Sequence, residues 1–216
     1  MKILLIGTSS DIAQSLIKNN VEKYEFINIS SSSSSFDILN EDTYPEINDN
    51  LDGFVYFPGT INLRPFSNLK LADFQNDYEI NVLGLIKTLK YYNKLFNDKA
   101  SIVFISSIAA SVGMPFHSSI STSKSAIEGL CRSLAAEWSP SIRVNCVAPS
   151  LVKTKLSKRL LRTDSQAEQM KAKHPLNQFG EPRDISDAIL FLLSKQSKWM
   201  TGQVLSVDGG LSKIKK

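Results

Sequence analysis

The first chemistry in the chain is offered by a strand-to-helix junction near the amino terminus. Gly7-Thr8-Ser9-Ser10-Asp11-Ile12-Ala13 follows the apolar residues Ile3 to Ile6 and leads into a helical pattern. Small residues in such a turn let backbone N–H groups and the helix N-terminus close on a pyrophosphate. Asp11 and Ala13 stand where a three-glycine fingerprint has its second and third glycines, and Asp11 equally suits a plain N-cap. Further along, Asn81 lies in a long helical segment, Ser106 and Ser107 close a strand, and Lys124 lies near the start of the next helix. Cys131 and Cys146 sit among apolar neighbours and form no metal-ligand pair. That fits a reduced, cytoplasmic compartment without a disulfide. His117 and His174 are too few and too isolated for zinc, so no metal site is expected.

These residues need elements to position them. Strand-length apolar runs at Ile3–Ile6, Glu25–Ile29, Gly53–Phe57, Ser101–Ile105, Ile142–Val147 and Gln203–Val207 alternate with helical patterns at Asp11–Lys18, Lys70–Phe96, Ser118–Trp138 and Asp184–Leu193. Several runs are apolar on both faces, as in the middle of a parallel sheet covered by helices. The alternation predicts an α/β fold, a doubly wound parallel sheet with right-handed crossovers. Six serines, Ser30–Ser35, follow the second strand. They read as a polar linker or as the loop that meets an adenosine ribose. Lys155–Pro175, rich in Lys, Arg and Gln, fits a lid.

The 216 residues suit one domain spanning 1–216. Hydrophobic residues make up 42% and charged residues 21%, which excludes disordered, collagen-like and disulfide-scaffold classes. The net charge of +4 is scattered apart from Lys213, Lys215 and Lys216, too diffuse for a nucleic-acid partner. No apolar stretch nears the roughly 18 residues of a membrane span, and the apolar run Ile3–Ile6 is too short to be expected to act as a secretory signal.

In order, Asn81-Val82-Leu83-Gly84, Ile105-Ser106-Ser107, Ser121 to Ala126, Val144 to Pro149 with Thr154, Phe179-Gly180-Glu181-Pro182 and Thr201 to Gly210 make a recognisable series. With it the sequence resembles the short-chain dehydrogenase/reductase family, more narrowly its 3-oxoacyl-carrier-protein reductase-like members. The resemblance implies a Rossmann-type sheet, a nicotinamide cofactor and a catalytic set of Asn, Ser, Tyr and Lys. Asn81, Ser107 and Lys124 match three of these. The family's tyrosine lies four residues before the lysine, and here that position is Ile120. Four residues on a helix stack two side chains on one face, where an ammonium lowers a phenol's pKa and the phenol protonates the substrate oxygen. Isoleucine transfers no proton. None of the six tyrosines, at 24, 44, 56, 78, 91 and 92, is near Ile120 in sequence. His117, Ser118, Ser119 and Ser121 lie beside the gap; His117 is the better donor chemically, or simply a loop histidine.

Cofactor contacts implied by the resemblance are Gly7, Ser9, Ser10 and Ile12 at the pyrophosphate turn, Asp37 and Ile38 near the adenine, Gly59 behind the ribose, Lys124 on the ribose, and Pro149 and Thr154 near the carboxamide. Asp37 equally reads as a loop acid and Thr154 as an N-cap. Tyr56-Phe57-Pro58-Gly59 replaces the family's Asn-Asn-Ala-Gly, and Ser150 replaces the glycine after Pro149. The second strand lacks a terminal acid for a ribose 2′-OH, and the serines suit a 2′-phosphate, so NADP is slightly favoured over NAD. The expected activity is NAD(P)-dependent oxidoreduction of a small-molecule carbonyl or alcohol substrate at an atypical site. The alternatives are a cofactor-binding pseudoenzyme and a structural subunit. The two long apolar-rich helices and the resemblance together predict a homo-oligomer, a tetramer or dimer.

Overall fold

Side chains alternate across a strand, and here both sets are apolar, so each strand can bury both faces only between two layers of helix. A computed structural model describes residues 1–32, 35–160 and 163–215 and shows this arrangement. Six parallel strands run β1 (Lys2–Ile6), β2 (Glu25–Ile29), β3 (Leu51–Tyr56), β4 (Phe96–Ile105), β5 (Arg143–Pro149) and β6 (Val204–Val207), in the sheet order β2-β1-β3-β4-β5-β6. The helices are α1 (Asp11–Lys18), α2 (Leu71–Tyr78), α3 (Gly84–Tyr92), α4 (Ser118–Glu137), α5 (Asp164–Lys173) and α6 (Pro182–Leu193). Leu4, Ile6, Phe54, Tyr56, Ile102 and Phe104 point to the face covered by α3 and α4. Ile3, Leu5, Val55, Val103 and Val147 point to the face covered by α1 and α6. This is the Rossmann-type doubly wound sheet expected of the sequence. Strand order reverses at β1, with β2 on one side and β3 on the other, which opens a crevice at the carboxyl ends of the strands.

The segment expected as one helix, Lys70–Phe96, is broken. α2 and α3 are joined by a π turn at Glu79–Leu83, and Phe96 already belongs to β4. The Tyr56 hydroxyl donates to the Ile80 carbonyl at 2.6 Å, and a Cβ on Gly84 would collide with that same hydroxyl. A side chain that enters the i→i−4 ladder displaces it, and the glycine leaves the room. At the far edge of the sheet Arg143 ties β5 to the end of α6. Its guanidinium donates to the carbonyls of Leu192, Ser194, Ser197 and Met200 and to Ser197 Oγ, at 2.9 to 3.2 Å. Asn145 joins the same region to the start of β6, giving its amide to the Met200 carbonyl and accepting from the Gln203 N–H, both at 3.0 Å. Among the described residues no helix is long and apolar enough to cross a membrane.

Candidate active site

Lys124 lies on the second turn of α4, one helical turn after Ile120 and on the same face. Ser121 Oγ donates to the Ala109 carbonyl at 2.7 Å and Ser125 Oγ to that of Ala110 at 3.2 Å, so the loop after β4 is laid along the start of α4. Ser107 opens that loop, its Oγ accepting from the Ala109 N–H at 3.2 Å. Lys124 Nζ donates to the carbonyl of Ile105, the last residue of β4, at 2.9 Å, which pins the ammonium at the carboxyl edge of the sheet. Burial pushes its pKa down to about 8, partly offset by the Asp77 carboxylate.

Asn81 sits on the π turn, fully buried. Its Nδ2 donates to the Asp77 carbonyl at 2.8 Å and to Thr60 Oγ1 at 2.9 Å. Its Oδ1 has no hydrogen-bond partner among the described residues. The Cβ that Gly59 lacks would lie 3.1 Å from Asn81 Oδ1 and 3.5 Å from Lys124 Nζ. An amide acceptor and an ammonium donor therefore border one gap, as a hydroxyl group would need, since it both donates and accepts.

At the amino-terminal turn, Ser10 is the N-cap of α1, with no side-chain capping bond. The first N–H groups of a helix lack intrahelical partners, so those of Asp11, Ile12 and Ala13 are available to an anion. Asp11 is not the cap. Its carboxylate accepts from the Lys155 N–H at 2.6 Å, joining the turn to the loop after β5. A cleft of 520 Å³ lies between them, lined by Asp11, Lys153, Thr154, Lys155, Lys158 and Glu181 among others. Thr154 Oγ1 accepts from the Ser157 N–H at 3.2 Å, as a cap does. Gly7 has φ +83, and a Cβ there would meet Pro58 Cδ at 2.7 Å, so its glycine is demanded by the chain's own packing.

The family model described as Enoyl-(Acyl carrier protein) reductase matches residues 14–212. The chain belongs to the short-chain dehydrogenase/reductase family. Among the curated relatives of this short-chain dehydrogenase/reductase, a chloroplastic tropinone reductase homolog of Arabidopsis thaliana is 39% identical over 149 residues, covering 68% of this chain and 44% of that protein. 2-(S)-Hydroxypropyl-CoM dehydrogenase 3 of Xanthobacter autotrophicus is 34% identical over 171 residues, covering 76% and 67%. The matched part spans about half the length of the first relatives, at 44%, 43% and 51%. Of solved structures, a small-chain dehydrogenase in complex with NADPH superimposes with a TM-score of 0.90 at 24% identity, covering 98% of both chains. A short chain dehydrogenase family protein of Francisella tularensis gives 0.87 at 24% identity, covering 99% of both.

The other residues that the sequence singled out take these places in the short-chain dehydrogenase/reductase fold. Ile120 is buried yet belongs to neither core cluster. His117 immediately precedes α4, with Nδ1 2.7 Å from the Pro115 carbonyl. Tyr56, the tyrosine nearest Gly59 in sequence, spends its hydroxyl on Ile80, and burial pushes its pKa up, the wrong direction for a proton donor. Asp37 is exposed and its carboxylate accepts from the Leu39 N–H at 2.9 Å, while Ile38 packs onto Gly84. Ser9 is exposed at the first turn. Pro149 ends β5 beside Val207, and Ser150 Oγ lies 3.0 Å from His174 Nε2. In the serine run, Ser30 Oγ and Ser32 Oγ are 2.6 Å apart, whereas Ser33 and Ser34 lie outside the described residues. Among the described residues no group of His, Cys, Asp and Glu is placed to hold a metal.

Sequence reasoning missed Asp77 and Thr60, and placed Ser119 beside the gap at Ile120 without seeing its bond to Asp77. The signal was present: Asp77 precedes Asn81 by four, the spacing that puts two side chains on one helix face.

Proposed function

We propose that the chain, 1–216 as one domain, binds NAD(P)H and interconverts a small-molecule carbonyl and alcohol at an atypical site in which Ile120 stands at the family's tyrosine position. The observation that carries this reading is the gap at Gly59, bordered by Lys124 Nζ and by a buried Asn81 Oδ1 that has no partner among the described residues. A nicotinamide nucleotide fits the residues present: a ribose hydroxyl can donate to Asn81 Oδ1 and accept from Lys124, and its pyrophosphate suits the uncapped start of α1 at Ser9, Ser10 and Ile12. Gly7 shapes that turn, and Pro149, Thr154, Asp37 and Ile38 stand on the loops that border the crevice. NADP is favoured over NAD because no acid ends β2 and serines follow it.

When bound, the cofactor supplies or accepts the hydride. The chain's part is to hold the carbonyl and to move the proton. The Ser107 hydroxyl can donate to the substrate oxygen. Lys124 carries the proton in place of the absent phenol, because a buried ammonium with a pKa of about 8 gives one up far more readily than a solvated lysine. An anionic substrate group would find Lys153, Lys155 and Lys158 on the neighbouring cleft. The relatives named above, a tropinone reductase homolog and a dehydrogenase, support oxidoreductase chemistry as a class. We also place the active form in a homo-oligomer, a dimer or tetramer, since Trp199 is 97% exposed and Phe191 and Leu176 are exposed as well.

A second reading, a cofactor-binding pseudoenzyme, is favoured by one observation, Ile120, which holds no proton at the position one turn before Lys124. Two measurements separate these. Calorimetric titration with NADPH and NADH should show binding of one or both; no heat at millimolar cofactor overturns both readings and leaves a structural subunit. Oxidation of NADPH with a panel of aldehydes and ketones should then show turnover, and binding without turnover selects the pseudoenzyme.

A further inference from the structure

Asp77 is a fully buried carboxylate with no ion pair among the described residues. Its two oxygens are met by hydroxyls from two other elements: Thr60 Oγ1 donates to Oδ1 at 2.5 Å, and Ser119 Oγ donates to Oδ2 at 2.6 Å. An ionised carboxylate only accepts, so the one hydroxyl proton of Thr60 is committed to Asp77. What remains on Thr60 Oγ1 is lone pairs, and these take the Nδ2 proton of Asn81 at 2.9 Å. The second Nδ2 proton goes to the Asp77 main-chain carbonyl at 2.8 Å. With both amide protons spent on the inner side, Asn81 has only its oxygen to turn to the gap at Gly59. An amide is nearly symmetric in shape, so packing alone does not choose between its two orientations; two acceptors do, the Asp77 main-chain carbonyl and the Thr60 oxygen whose proton the Asp77 carboxylate has taken.

The same carboxylate bears on Lys124, which ends at that gap. The other polar groups around the ammonium are accounted for. Cys146, from β5, is a thiol that its bond with Cys131 and burial keep protonated. Glu128, on α4 itself, accepts from Ser106 Oγ at 2.7 Å and is 3.9 Å from Arg132. Ile105, from β4, offers a neutral carbonyl. Asp77, from α2, is the anion left to favour the charged lysine, and it acts in that direction.

We propose that Asp77 is a positioning residue of this site: through the Thr60 hydroxyl, and together with its own main-chain carbonyl, it holds the Asn81 amide with its oxygen turned to the gap at Gly59. The use of this device rests on the cofactor-and-proton reading above, but the hydrogen-bond order and the charge exist in the free protein and are tested there.

The experiment is a 13C NMR titration of the Lys124 ε-carbon in the free protein labelled at lysine, the signal assigned by its loss in Lys124→Arg. Asp77→Asn keeps the shape and removes the charge, and should lower the Lys124 midpoint by about one pH unit, the low end of what a nearby opposite charge exerts. An unchanged midpoint in a folded Asp77→Asn protein overturns the charge assignment. Thr60→Val keeps Asp77 and removes the hydroxyl; it should leave the midpoint in place while weakening NADPH binding about tenfold, with Thr60→Ser restoring it. Equal affinity in Thr60→Val and wild type overturns the amide assignment, and Thr60→Val decides the matter if Asp77→Asn fails to fold. A wild type that binds no NADPH defeats the cofactor reading and leaves the titration to judge Asp77 alone.

Discussion

Asn81 and Lys124 come from different helices and meet at the same vacancy, with Asn81 Oδ1 and Lys124 Nζ 3.1 and 3.5 Å from the point where Gly59 would carry a side chain. The glycine is what makes this a site. Gly59→Ala should fill the space with a methyl group in tight contact with Asn81 Oδ1. Cofactor affinity should fall at least about tenfold, with the unfolding free energy changed by less than about 2 kcal/mol. Calorimetry and urea unfolding on the same preparations separate the two effects.

Lys124 gives a pH dependence with a definite sign. In the reducing direction it must arrive protonated, so kcat/KM for carbonyl reduction should be level below pH 8 and fall as the pH rises past about 8. A steady-state pH series with one ketone checks this.

The same group bears on stability. Lys124 is held at about 8 in the folded protein against 10.5 for a solvated lysine, so the charged form costs the fold about 3 kcal/mol at pH 7. Between about pH 8 and 10.5 the unfolded chain holds a proton that the folded one has released, so the Lys124 contribution makes stability rise with pH through that window. Lys124→Met removes this cost but strips the Ile105 carbonyl of its donor, worth about 1 kcal/mol. The variant should be about 2 kcal/mol more stable at pH 7 and inactive, its advantage shrinking towards pH 10.5. Urea unfolding at three pH values reads it.

The strands and α1 were legible because their signals are local. Apolar runs that fill both faces have one home in a doubly wound sheet, and Asp11–Lys18 was found with the same bounds. The break at Asn81 was not legible, since it goes with the bond from Tyr56 to the Ile80 carbonyl, 24 residues on from that tyrosine, and no helical pattern records a hydroxyl arriving from a strand. Nor could Asp77 be read as buried: an acid on an amphipathic helix looks like a solvated one until Thr60 and Ser119 are folded against it. Gly7 was readable as a turn glycine, but its contact with Pro58 Cδ was not, because that ring arrives from the loop after β3.

That contact makes a prediction of its own. Gly7→Ala combines a left-handed backbone with a 2.7 Å approach to the Pro58 ring, and should destabilise the cofactor-free protein by about 2 kcal/mol or more. Thermal unfolding without nucleotide measures this, and part of the loss should return in the double variant with Pro58→Ala.

The central claim is that the family's proton donor is missing at Ile120 while Asn81, Ser107 and Lys124 around it are kept. Ile120→Tyr puts a phenol one helical turn before Lys124, beside an ammonium that favours its ionisation. General acid catalysis contributes on the order of 10² to 10⁴ in rate, so NADPH-dependent reduction of simple aldehydes and ketones at pH 7 should rise at least about tenfold over wild type. A wild-type rate that is already substantial and falls on introducing the tyrosine would contradict the account, for a donor at least as effective as the phenol would then already be in place.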